Sequence, residues 1–131
     1  MLQNHLCGKL RALKNSGIMK AMSDLKTLTE AMHSFVTAKG WYEANSPRQQ
    51  TARNMSISLC LEAAEVLEHF QWSDSATDKD ALASELADVA LYLLQLASVN
   101  DIDLEQAIYA KLEQNYGRSW DEPKPAAPLE P

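Results

Sequence analysis

Apolar residues recur along this chain at helical spacing from end to end, and no stretch alternates with the period of two that marks a strand. Leu25, Leu28, Met32, Phe35 and Val36 trace the core stripe of a first helix, which Ser23 is placed to cap and Gly40 to end. A loop from Trp41 to about Thr51 follows, with Asn45, Ser46 and Pro47 as turn residues. The second helix is expected over roughly Ala52 to Gln71, with Met55, Leu59, Val66 and Phe70 on one stripe and Ile57, Leu61 and Ala64 on another. After the polar connection Ser73–Lys79, Asp78 can cap a third helix running to about Asn100. Leu82, Leu86, Val89, Leu93 and Leu96 form its main stripe, and Ala83, Ala87, Ala90 and Leu94 make the opposite side apolar too. Asp103 caps a fourth helix that carries Leu104, Ile108 and Leu112 and stops at Gly117.

Four helices with short connections predict an all-α, four-helix bundle. The second and third helices are apolar on more sides than one such unit covers, which predicts burial on most sides and assembly through helix faces into an oligomer. Met55 and Cys60 are assigned to the core. The pattern divides the chain into a basic leader (1–21), a helical domain (22–120) and a proline-rich tail (121–131) reading DEPKPAAPLEP.

Charge is distributed unevenly. The net charge is -6, but Lys9, Arg11, Lys14 and Lys20 stand in a leader without acids, leaving 8 basic residues against 18 acidic ones from Met22 onward. An acidic body argues against wrapping a nucleic acid polymer, whose phosphates are neutralised by Lys and Arg. Two cysteines, Cys7 and Cys60, make no disulfide framework, and a reducing cytoplasm is expected. The apolar run Leu86–Val99 is interrupted by Asp88 and Gln95 and falls short of the roughly 20 residues that cross a bilayer, so no membrane partner is expected. The leader lacks the apolar segment and cleavage site of a signal peptide.

Against that apolar background the acids stand out. Glu62 and Glu65 share one face of the second helix, as residues three apart do, and His69 lies on the same side. Glu85, Asp88 and Tyr92 form a second acidic edge on the third helix. If the edges face each other, four carboxylates converge, and any two anions about 4 Å apart repel by roughly 4 kcal/mol at an effective dielectric of 20. Lys79 and Lys111 are too few to neutralise such a cluster. A hard cation, Mg²⁺ or Mn²⁺, prefers carboxylate oxygens and can bridge to phosphate. The ordinary alternative is a solvated acidic edge. A di-iron centre is disfavoured, because the third helix supplies Glu-x-x-Asp where Glu-x-x-His is needed. The four glycines are too scattered for a phosphate-binding loop. Lys111, Asn115 and Arg118 share an edge of the fourth helix suited to phosphate oxygens, or simply to solvent. Trp41, Trp72 and Tyr92 can stack on a base or pack.

The pairing of Glu62-Ala63-Ala64-Glu65 with Glu85-Leu86-Ala87-Asp88 resembles the signature of the MazG-like all-α nucleoside triphosphate pyrophosphohydrolases. Asn54, Phe70-Gln71-Trp72, the third-helix run ELADVALYLLQLA, and Lys111, Asn115 and Arg118 look most like the dCTP pyrophosphatase branch. The resemblance spans about Leu25 to Trp120. It implies that Glu62, Glu65, Glu85 and Asp88 ligate Mg²⁺ and form the catalytic set. It also implies that Trp41, Asn54, Trp72, Tyr92 and His33 meet the nucleotide, and that Lys111, Asn115 and Arg118 meet its phosphates. The implied reaction is hydrolysis of a nucleoside triphosphate, such as dCTP or a modified pyrimidine deoxynucleotide, to monophosphate and pyrophosphate. The implied assembly is a homodimer or homotetramer. A catalytically silent helical module that binds a nucleotide or a protein is the alternative.

Overall fold

The computed structural model describes residues 24–119, so the leader and tail lie outside the described residues. Within them the chain forms α1 (Leu25–Ala38), α2 (Ala52–Glu68), α3 (Lys79–Val99) and α4 (Leu104–Tyr116). The fold is all-α, as the periodicity predicts.

Each helix begins on a side-chain cap. Asp24 accepts the Thr27 amide and caps α1, Ser23 lying outside the described residues, while Thr51, Asp78 and Asp103 cap α2, α3 and α4. The second helix stops three residues short of the expected Gln71. Phe70 and Gln71 bond back only three residues, to the carbonyls of Leu67 and Glu68, and tighten the chain into a turn.

Two helix ends reverse direction by the same geometry. Gly40 takes φ +69°, its amide donates to the Thr37 carbonyl, and the Trp41 amide donates to that of Val36. This is the Schellman arrangement, which folds the residue after the glycine back onto the last turn of the helix. At the end of α3, Asp101 (φ 55°) and Ile102 repeat it against Ser98 and Ala97, with an aspartate in the position glycine favours.

The hub is α3, on which α2 packs most extensively, α1 less and α4 least. Met32 and Val36 of α1, Met55 of α2, and Leu94 and Ala97 of α3 form the buried apolar core. One expectation is corrected here: Cys60 is exposed, not in the core. The second and third helices keep apolar surface uncovered within one chain, as their apolar pattern predicts, with Ile57, Leu61, Leu67, Leu86, Leu91 and Leu93 all exposed. One four-helix unit has too few elements to cover both sides of α2 and α3. By length and composition alone α3 could cross a membrane, yet it carries Glu85 and Asp88 and serves as the helix on which the others pack.

Candidate functional site

Packing α2 against α3 brings the two acidic edges together. Carboxylate oxygens of Glu62, Glu65 and Glu85 all lie within 4.8 Å of one another. Burial pushes the Glu62 carboxyl above its ordinary value, and the charges of Glu65, Asp88 and Glu85 push it further. Glu85 is likewise pushed up, by desolvation first and then by the charge of Glu65, a hydrogen bond to Glu65, and the charge of Asp88; His69 acts in the opposite direction. That finding gives His69, which shares a helix face with Glu65, a place beside the acids.

Asp88 joins Glu62 at one end of a cleft of about 490 Å³ between α1 and α3. Its walls are apolar and aromatic, from Leu28, Met32, Phe35, Trp41, Leu91 and Tyr92. Trp41 is set there by the Gly40 reversal and held by neighbours: the Arg48 guanidinium lies 5.3 Å over its ring, and Phe35 meets it edge-on at 5.6 Å. A carboxylate end and an aromatic body suit a ligand with a charged, cation-bridged end and a flat ring.

The remaining candidates stand elsewhere. His33 bonds through Nδ1 to the Tyr42 hydroxyl and through Nε2 to Ser98 Oγ at 2.7 Å, so it braces the wall behind the cleft. Asn54 donates through Nδ2 to the Gln49 carbonyl at 2.8 Å, fastening the loop to α2. Trp72 is 90% exposed in the turn after α2 and does not line the cleft. On α4, Lys111 is exposed and donates to Gln114 Oε1 at 3.0 Å and Asn115 is half-buried, while Arg118, expected on the same helix edge, lies exposed just past the Gly117 cap, all apart from the cleft lining. Sequence reasoning passed over Gln95, which is buried on the cleft wall, and Phe35 and Tyr42, which looked like packing and loop. Gln95 could have been found as an uncharged polar residue inside a leucine run.

The family model described as MazG-like matches residues 57–124. The chain belongs to the MazG-like family. Both acidic pairs and the Lys111, Asn115, Arg118 edge fall inside the MazG-like match, whereas His33, Trp41 and Asn54 precede it. A pyrophosphatase of known structure from Archaeoglobus fulgidus is 30% identical, with a TM-score of 0.62 over 74% of this chain and 95% of that one. The dCTP pyrophosphatase 1 proteins of Rattus norvegicus and Homo sapiens are each 31% identical, over 64% of this chain and 52% of theirs. The chain therefore spans about half the length of the curated relatives it matches.

Proposed function

We propose that this MazG-like chain hydrolyses a nucleoside triphosphate, a pyrimidine deoxynucleotide such as dCTP or a modified form of it, to the monophosphate and pyrophosphate. The observation that carries the reading is the convergence of Glu62, Glu65 and Glu85 at one end of an aromatic cleft that Asp88 and Glu62 also line. The pyrophosphatase and dCTP pyrophosphatase relatives support it.

The donor set fits a hard divalent ion. It consists of Glu62, Glu65 and Glu85 oxygens already within 4.8 Å of one another, and the burial that first pushes Glu62 and Glu85 up, together with the neighbouring carboxylate charges that push them further, is what a bound cation would offset. Glu62, Glu65, Glu85 and Asp88 would hold Mg²⁺, or Mn²⁺ in its place. When bound, it supplies Lewis-acid neutralisation of the triphosphate charge. Trp41 and Tyr92 bind the base and exclude water from it. His33 and Asn54 act one step back, bracing Tyr42 and the loop that carries Trp41. Lys111, Asn115 and Arg118 supply phosphate contacts, and Trp72 a base contact, across an assembly of two or four copies. One carboxylate of the set orients or deprotonates the attacking water. The enzyme so described clears nucleotides in the cytoplasm.

The test is release of pyrophosphate, converted to phosphate for detection, across a panel of NTPs and dNTPs with and without Mg²⁺. Turnover that needs Mg²⁺ and vanishes in Glu62→Gln and Asp88→Asn is expected. Nucleotide-dependent thermal stabilisation without any pyrophosphate release would leave the silent binding module as the better description.

A further inference from the structure

Gln95 is 3% exposed, yet its side chain forms part of the cleft wall. A buried amide needs partners for two N–H groups and one carbonyl. Its Nε2 donates to Gln50 Oε1 at 2.7 Å and, more weakly, to the Tyr42 hydroxyl at 3.4 Å. The orientation is dictated from outside. Gln50 spends its own Nε2 on the Arg48 carbonyl at 2.7 Å and so presents its oxygen to Gln95. Tyr42 accepts from Gln95 and is hydrogen-bonded to His33 Nδ1, while His33 Nε2 is hydrogen-bonded to Ser98 Oγ. Turning the Gln95 amide over would set oxygen against oxygen at Gln50. The carbonyl Oε1 is thus the end of Gln95 that no described residue engages.

Its place on α3 matters as much as its polarity. Asp88, Tyr92 and Gln95 follow one another at i, i+4 and i+7, so Gln95 stands two turns, about 10 Å, from the carboxylate end. That is the reach of a nucleoside from its phosphate to the far edge of its base. Resting on the triphosphate reading above, we propose that Gln95 is a specificity-determining residue. Its locked carbonyl accepts from an exocyclic amino group, such as that of cytosine, and rejects the keto oxygen that uracil and thymine carry there. The discrimination comes from setting two acceptors against each other in a site shielded from water.

The test compares kcat/KM for dCTP with dUTP, and for dATP with dITP, in the wild type, Gln95→Met and Gln50→Leu. The wild type should favour the amino member of whichever pair it turns over. Gln95→Met should lower that preference about tenfold or more, the size expected for one buried hydrogen bond to the base. Gln50→Leu, which leaves Gln95 in place but releases its amide, should lower it as well, and keeps the test decisive should Gln95→Met fold poorly. A purely structural role would lower both members of a pair together. A preference for the keto base, or a ratio unmoved in both variants, overturns the inference while leaving the hydrolase reading intact. Absence of any wild-type turnover overturns the hydrolase reading instead, and calorimetric titration with dCMP and dUMP then decides on Gln95 by the same ratio.

Discussion

Glu62 of α2 and Glu85 of α3 hold carboxylate oxygens within 4.8 Å of each other, and an oxygen of Glu65 lies within that distance of both. The counter-charge that bears on Glu85 is a single imidazole, His69. The folded chain thus holds anionic groups closer than they would stay in the unfolded state, and that tension yields two predictions.

The metal-free protein should become more stable as pH falls from neutrality toward the ordinary glutamate value of 4.5. Both folded-state values are raised, by desolvation first and by neighbouring carboxylate charges next, so the folded chain takes up protons before the unfolded one does and both penalties are relieved across that window. The capping carboxylate of Asp24 has the opposite sign, since its folded value is lowered from 3.8 and its contribution is lost at lower pH still. Urea midpoints in EDTA between neutrality and pH 4.5 check this. A wild-type profile no steeper than that of Glu62→Gln would sink it.

Adding Mg²⁺ or Mn²⁺ should reverse the trend, because the ion competes with protons for the same oxygens. At a concentration about 100 times its Kd, an ion that binds only the folded chain adds ~2.7 kcal/mol. Thermal melts should therefore rise with metal, more at pH 8 than at pH 6. Glu85→Gln should blunt the rise, and equal responses in the two proteins would count against the site.

The two Schellman turns differ in the residue that occupies the left-handed position, Gly40 in one and Asp101 in the other. A side chain there costs roughly 1–2 kcal/mol, somewhat less for aspartate. Asp101→Gly should stabilise the protein by about 1 kcal/mol in urea unfolding. Gly40→Ala should destabilise it by a similar amount, and the strain is in the backbone, since an added Cβ meets nothing nearer than Glu43 Cγ at 3.8 Å. Loss of Trp41 fluorescence quenching by nucleotide should accompany Gly40→Ala.

Leu61 is 60% exposed and Ile57, one turn earlier on the same face, 47%. A stripe of this kind on α2 predicts a second copy packed over it. Light scattering should find a dimer or tetramer, and Leu61→Glu should shift it toward monomer with unchanged circular dichroism. A monomeric wild type would refute the assembly.

The strength of each cap depends on how much else holds its helix. No residue of α4 is buried, so Asp103 carries a larger share of that helix than Asp78 does of α3. Asp103→Ala should cost about 1 kcal/mol and appear as faster amide exchange confined to residues 104–116.

The helices, the caps Asp78 and Asp103, and the acidic pairs were legible in the sequence because each is a local property. Periodicity of 3.6 sets a face, and two pairs of acids on apolar faces have few places to go. The end of α2 was misjudged, since Phe70 continues the apolar stripe and nothing in the local pattern shows that the last turn tightens. Cys60 was misplaced for a related reason: apolar neighbours in sequence do not reveal which side of a helix its partner occupies.

What the sequence by itself determined is therefore the helical alphabet of the chain, its acidic charge and the four carboxylates. Which of them converge, and beside what, was decided by packing. Only the fold of α1 and α2 onto α3, with the Gly40 reversal, brings Trp41 and Tyr92 into the lining of one cleft. Gln95 looked like an interruption in a leucine run. Its fixed amide depends on Gln50 and Tyr42, 45 and 53 residues away, and hydrogen bonds over such separations exist only once the chain has closed on itself.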